Sequence, residues 1–131
     1  MKDFQLTRKM LSLRGSFYPS GYAFIMFPDV DDARQAAREL EPRDDEIMLL
    51  TPADILRDIG KTEVVSDVAL PDVGTEKATT RKYVDLAREG HHALMISTHT
   101  RDDTERIMTV VRKLPFSYAQ KYHSLAIEDL E

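Results

Sequence analysis

An α/β sandwich is predicted by three features of the chain. Two stretches, residues 21–51 and 92–127, each read as strand, helix, strand. Three short runs, residues 22–27, 47–50 and 93–96, are apolar without alternation, the pattern of strands covered on both faces. Each unit also carries an aspartate pair, Asp31-Asp32 and Asp102-Asp103, where its helix should begin. Setting one pair over the other needs no gap and lays residues 22–27 over 93–98. Two such units with right-handed crossovers commonly interleave as the ferredoxin-like split βαβ. Strand order would then be fourth, first, third, second. The predicted architecture is ferredoxin-like, βαβ-αα-βαβ, a four-stranded sheet with two inserted helices. A doubly wound parallel sheet is the alternative, weakened by the absence of a glycine-rich strand-to-helix turn.

The elements follow from local chemistry. Residues 1–20 form an N-terminal arm in which Phe4, Leu6, Met10, Leu11, Leu13 and Phe17 lie among four basic residues, Lys2, Arg8, Lys9 and Arg14. The arm is either a basic docking segment or a terminal segment laid on the domain by its apolar side chains. Residues 21–131 are expected to form a single α/β domain, with the first unit at 21–51, a helical insertion at 52–90 and the second unit at 92–127. Asp29 should cap a helix over 30–41, where Ala33, Ala36, Ala37 and Leu40 make a thin apolar stripe and Pro42 stops it. Pro52 suits the first position of a short helix that Gly60 ends, with Ile55, Leu56 and Ile59 on its apolar face.

Residues 61–74 show no period and read as a loop, expected to be the most mobile internal segment. Thr75 should open a helix to Glu89, capped by Gly90, with Tyr83, Leu86 and Ala87 inward. Thr100 or Asp102 opens the last helix, in which Ile107, Met108, Val110, Val111 and Leu114 recur until Pro115. Residues 116–127 mix polarity on both faces and read as one edge strand followed by an acidic tail. The crossover rule puts the 30–41 and 102–114 helices on one face of the sheet. The other face needs a cover, and the inserted helices are expected to supply it in preference to a second copy of the chain.

Composition excludes several functions. The chain has 131 residues, 42% hydrophobic and 31% charged, which suits one globular domain with a real core. A net charge of −5 weighs against a dedicated nucleic-acid binder, and the RNP pattern of an RNA-recognition sheet is missing. There is no cysteine, so disulfides, thiol catalysis and zinc-thiolate sites are excluded. No apolar run approaches the ~18 residues of a membrane span, and a soluble cytoplasmic protein is expected.

Candidate chemistry is sparse. His92, His99 and Asp102 could converge on a metal near one end of the third strand, as a metal-dependent hydrolase would require. Capping accounts for the aspartate pairs without Mg²⁺. No serine lies in a G-x-S-x-G setting, and no Walker or dinucleotide loop is present. No catalytic residue is therefore assigned, no cofactor is expected, and the protein is read as non-enzymatic. The candidate partner surface is Arg8, Lys9 and Arg14 on the arm with Tyr118 and Tyr122 on the last strand.

The segment FPDVDDARQAARELEPRDDEIMLLTPADIL resembles the strand-helix-strand of the general stress or heat-induced stress protein domain family. The whole chain, including LRGSFYPSGY, REGHHALMIS and KYHSLAIEDL, resembles a group of short uncharacterised proteobacterial proteins. The resemblance implies a small cytoplasmic α/β protein and carries no functional residues over. The expected function is a stress-associated or regulatory domain that acts on a protein partner as a monomer or weak homodimer. The alternative is a small-molecule-sensing ferredoxin-like module with its ligand near the 61–74 loop.

Overall fold

The computed structural model describes residues 1–13, 15–42, 46–61 and 74–131. Most of the 61–74 loop therefore lies outside the described residues, as does Arg14. The strands are β1 (Lys2–Asp3), β2 (Tyr22–Phe27), β3 (Ile47–Leu50), β4 (His92–Ser97), β5 (Tyr118–Tyr122) and β6 (Ile127–Asp129). The helices are α1 (Val30–Leu40), α2 (Pro52–Asp54, continuing as a π-helix over Ile55–Ile59), α3 (Gly74–Arg88) and α4 (Arg101–Val111). They form a mixed α/β fold around one sheet of order β1-β3-β4-β2-β5-β6.

Six strands stand where four were expected, because both edges are extended. At one edge Lys2 and Asp3 pair in parallel with Met48 and Leu49, and the Phe4 amide continues the ladder to the Leu49 carbonyl. At the other, the expected edge strand over 116–127 reverses direction within residues 123–126. Its second arm, β6, pairs antiparallel with β5, placing Gln120 opposite Asp129 and Tyr122 opposite Ile127. The supposed acidic tail is thus part of the sheet. The pairings β3–β4, β4–β2 and β2–β5 are all antiparallel.

The helices start where the caps place them. The Asp29 carboxylate accepts from the Asp31 amide at 2.9 Å to open α1. The Thr100 hydroxyl accepts from the Asp103 amide at 3.0 Å to open α4. Thr51 and Asp54 form a reciprocal capping box at α2. Gly90 follows α3 with φ of 94°, a conformation that disfavours any side chain.

Both faces of the sheet are covered, which explains the unbroken apolarity of β2, β3 and β4. On one face α1 and α4 bury Ala33, Ala36, Ala37, Leu40, Ile107, Met108 and Val111 against Ala23, Ile25, Phe27, Leu94 and Ile96. On the other, Ile55 and Ile59 of the α2 helix and Tyr83, Leu86 and Ala87 of α3 pack on Phe24, Met26, Leu50 and Met95. The inserted helices therefore cover the second face, as the sequence predicts, although Leu56 points to solvent. They do not act alone: Phe4, Met10 and Phe17 of the first twenty residues are buried in the same cluster. Apolar side chains lay this segment onto the domain, while its basic residues Lys2, Arg8 and Lys9 stay exposed. Among the described residues, no helix is long and apolar enough to cross a membrane.

Candidate functional site

The sequence-derived metal candidates do not meet. His92 opens β4 and His99 lies two residues past its end. At ~3.3 Å per strand residue the two are separated by roughly the strand's whole length. Asp102 sits with His99 at the start of α4, at the far end from His92. Among the described residues, no group of three His, Asp or Glu side chains could hold a metal ion. The separation follows from β4 being extended along its full length.

His92 has a different environment. Its Nδ1 atom is buried without a hydrogen-bond partner among the described residues. Burial lowers its pKa and Arg34 adds to this, while the Gly90 backbone, Asp29 and Asp54 work in the opposite direction. The folded state thus takes up this proton at lower pH than the unfolded state. The linked stability is complete above the unfolded value of ~6.5 and falls as pH drops from there through the folded value. His92→Gln is expected to flatten that part of the stability curve, measured by denaturant melts at stepped pH.

The proposed partner surface is also divided. Arg8 and Lys9 are exposed, and Arg14 lies outside the described residues. Tyr122 is fully buried, with its hydroxyl 2.9 Å from that of Tyr83. It presents nothing to a partner, because β6 and residues 17–18 close over it: Phe17 and Tyr18 meet its ring edge-on. Tyr118 is half-buried, with its ring 5.7 Å from Tyr83 and the Lys82 ammonium 5.9 Å above it.

What the structure brings together instead is a cleft of about 780 Å³ between α4 and the β5–β6 hairpin. The first turn of α4 supplies Thr100, Arg101 and Thr104, and its later turns supply Glu105, Met108 and Arg112. The hairpin supplies Lys121, His123 and Glu128. Lys121 lies opposite Ala23 on β2, which puts it on the α4 face of the sheet. It is 7% exposed, and its Nζ donates to the Thr98 carbonyl at 2.8 Å. Thr98 in turn shares a 2.8 Å hydroxyl contact with Thr104. Burial lowers the Lys121 pKa, and the cross-strand Glu128 offsets part of this.

Sequence reasoning missed Lys121. Alternation along β5 does place it opposite the tyrosines, but its setting depends on β6 pairing alongside it and on α4 standing over that face. The remaining charges of the cleft are largely paired with one another. Glu105 binds Arg112 at 2.7 Å, Glu128 binds His123 at 2.9 Å, and Asp129 accepts from the Gln120 amide. Glu105 is held below the usual carboxylate range by the Arg112 hydrogen bond. Arg112 also donates to the Glu131 carbonyl at 2.6 Å, which fixes the end of the chain beside α4.

No family model, curated protein or solved structure matches the chain. The cleft is therefore read from its own chemistry.

Proposed function

We propose that this protein is a small-molecule-binding module of ferredoxin-like layout, with its ligand seated in the α4–hairpin cleft. The observation that carries the reading is the cleft itself: about 780 Å³ with a nine-tenths-buried lysine in its wall. That volume falls in the ~300–1,000 Å³ range of metabolite and cofactor sites. The antiparallel order β3-β4-β2-β5, with both crossover helices on one face, supports the ferredoxin-like assignment, β1 and β6 being additions at its edges. Self-covered sheet faces also support a module that recognises a ligand rather than one that needs a permanent partner. The stress-associated setting belongs to the same proposal and rests on the resemblance of residues 27–56 alone.

A thermal-shift screen with metabolites, nucleotides and metal salts tests the reading. At least one metabolite is expected to raise the melting temperature, since a ligand at a hundred times its Kd adds about 2.7 kcal/mol. The gain should disappear when Thr104→Trp fills the cleft. A screen in which no metabolite stabilises the protein would sink the proposal.

A second reading, a regulatory domain that docks on a protein partner, is favoured by Leu13 and Leu125. Both are fully exposed at turns, and the Tyr18 hydroxyl donating to the His123 carbonyl at 2.6 Å ties the two loops together. Under this reading Leu13→Ser with Leu125→Ser leaves the melting temperature unchanged but removes any self-association or partner binding seen by light scattering. Unchanged scattering in the double variant would reject it.

A further inference from the structure

We infer that the cleft takes a small organic anion anchored by Lys121, an inference that rests on the cleft being the ligand site. The Lys121 ammonium has three donors, and the Thr98 carbonyl takes one of them. A buried cation whose one hydrogen bond runs to a neutral carbonyl is costly unless an opposite charge completes its shell. Its cross-strand neighbour Glu128 acts on it in part, but is exposed and committed to His123. Glu105 and Asp129 are likewise committed, to Arg112 and Gln120.

The uncommitted groups on the cleft wall are cationic or polar. Arg101 and His99 line it, Arg101 acting at a distance on Glu105. The Thr104 hydroxyl beside them is already bonded to Thr98 and to the Thr100 carbonyl. Glu131 also lines the cleft, so the wall as a whole is not short of carboxylates. An anion whose oxygens meet Lys121 and Arg101 would still give the buried ammonium a charged hydrogen-bond partner, and Arg101 offers the planar fork that carboxylates and phosphates fit. Met108 and Leu130 provide apolar surface for a carbon skeleton. Lowering of the Lys121 pKa by burial is the same deficit seen from the proton's side.

The test is a ¹H–¹⁵N correlation titration of the full chain with three probes at matched ionic strength: inorganic phosphate, succinate and neutral succinamide. Saturable shifts at the amides of residues 98–104 and 121–123 are expected with phosphate or succinate and not with succinamide. The phosphate and succinate arms separate the two kinds of anion. Lys121→Met should weaken binding about ten- to a hundredfold, the worth of a hydrogen bond to a charged group. Without a probe, it should melt at or above the wild-type temperature, because a buried charge has been removed. Arg101→Ala, at an exposed position, should weaken binding several-fold and covers the case in which Lys121→Met does not fold.

Equal binding of succinamide and succinate, or anion binding unchanged in both variants, would overturn the anion inference while leaving the cleft as a ligand site. Absence of any shift with either anion would overturn it as well. The metabolite screen then decides separately whether the cleft binds anything.

Discussion

Ile96→Asp is expected to abolish cooperative unfolding, leaving a chain with no melting transition by circular dichroism. Ile96 has no solvent exposure and lies in the central strand β4, between Ala23 of β2 and Ile47 of β3. Its side chain faces the apolar cluster made by α1 and α4, and the cation in its cross-strand row, Lys121, lies beyond Ala23 and donates to the Thr98 carbonyl. A carboxylate there would be unpaired and dry, or would have to take up a proton. Either route costs several kcal/mol, against a total stability of about 5–15 kcal/mol for a domain. Ile96→Val is the control: it removes one methylene from the same site and should cost about 0.5–1.5 kcal/mol. A cooperative melt for Ile96→Asp close to wild type would mean that β4 is not central.

That site was legible in the sequence because its signal is local. Residues 93–96 are apolar at every position, and only a strand covered on both faces asks for that. The same signal placed β2 and β3, and the caps at Asp29 and Thr100 placed α1 and α4. The edges were not legible. Strands of two and three residues have no period to read. The reversal after Tyr122 runs through His123, Ser124, Leu125 and Ala126, with no glycine, proline or asparagine to mark a turn. Everything that depends on that reversal was hidden with it: the burial of Tyr122 and Lys121, and hence the cleft. The metal reading failed for the converse reason. His92 and His99 are seven positions apart in sequence, and an extended strand carries that separation almost fully into space.

Tyr83→Ala is expected to be the costliest truncation on the face covered by the inserted helices, at about 3–5 kcal/mol by analogy with buried phenylalanine. Tyr83 is the side chain through which α3 grips the sheet. Its ring stacks on Phe24 at 4.0 Å and meets Phe17 and Tyr118 edge-on at 6.5 and 5.7 Å. Truncation removes all three ring contacts and opens a cavity that a helix and a sheet cannot collapse to fill. The hydroxyl is a smaller and separable part. Tyr83→Phe removes the 2.9 Å contact with the Tyr122 hydroxyl and should cost about 0.5–1.5 kcal/mol. Tyr122→Phe should cost a similar amount, and the double variant less than the two together, because both deletions remove the same contact.

The hydroxyl also has a pH signature. Burial, reinforced by Tyr122, pushes the Tyr83 pKa well above 10.0. The folded state therefore keeps this proton after the unfolded chain would release it. The linked stability is complete below the unfolded pKa of ~10 and is lost as pH rises through the folded value. Urea melts of Tyr83→Phe between neutral pH and pH ~11 should show a shallower alkaline fall than wild type. Parallel curves for the two proteins, or a Tyr83→Ala melt within ~1 kcal/mol of wild type, would show that α3 is held to the sheet by something other than this ring.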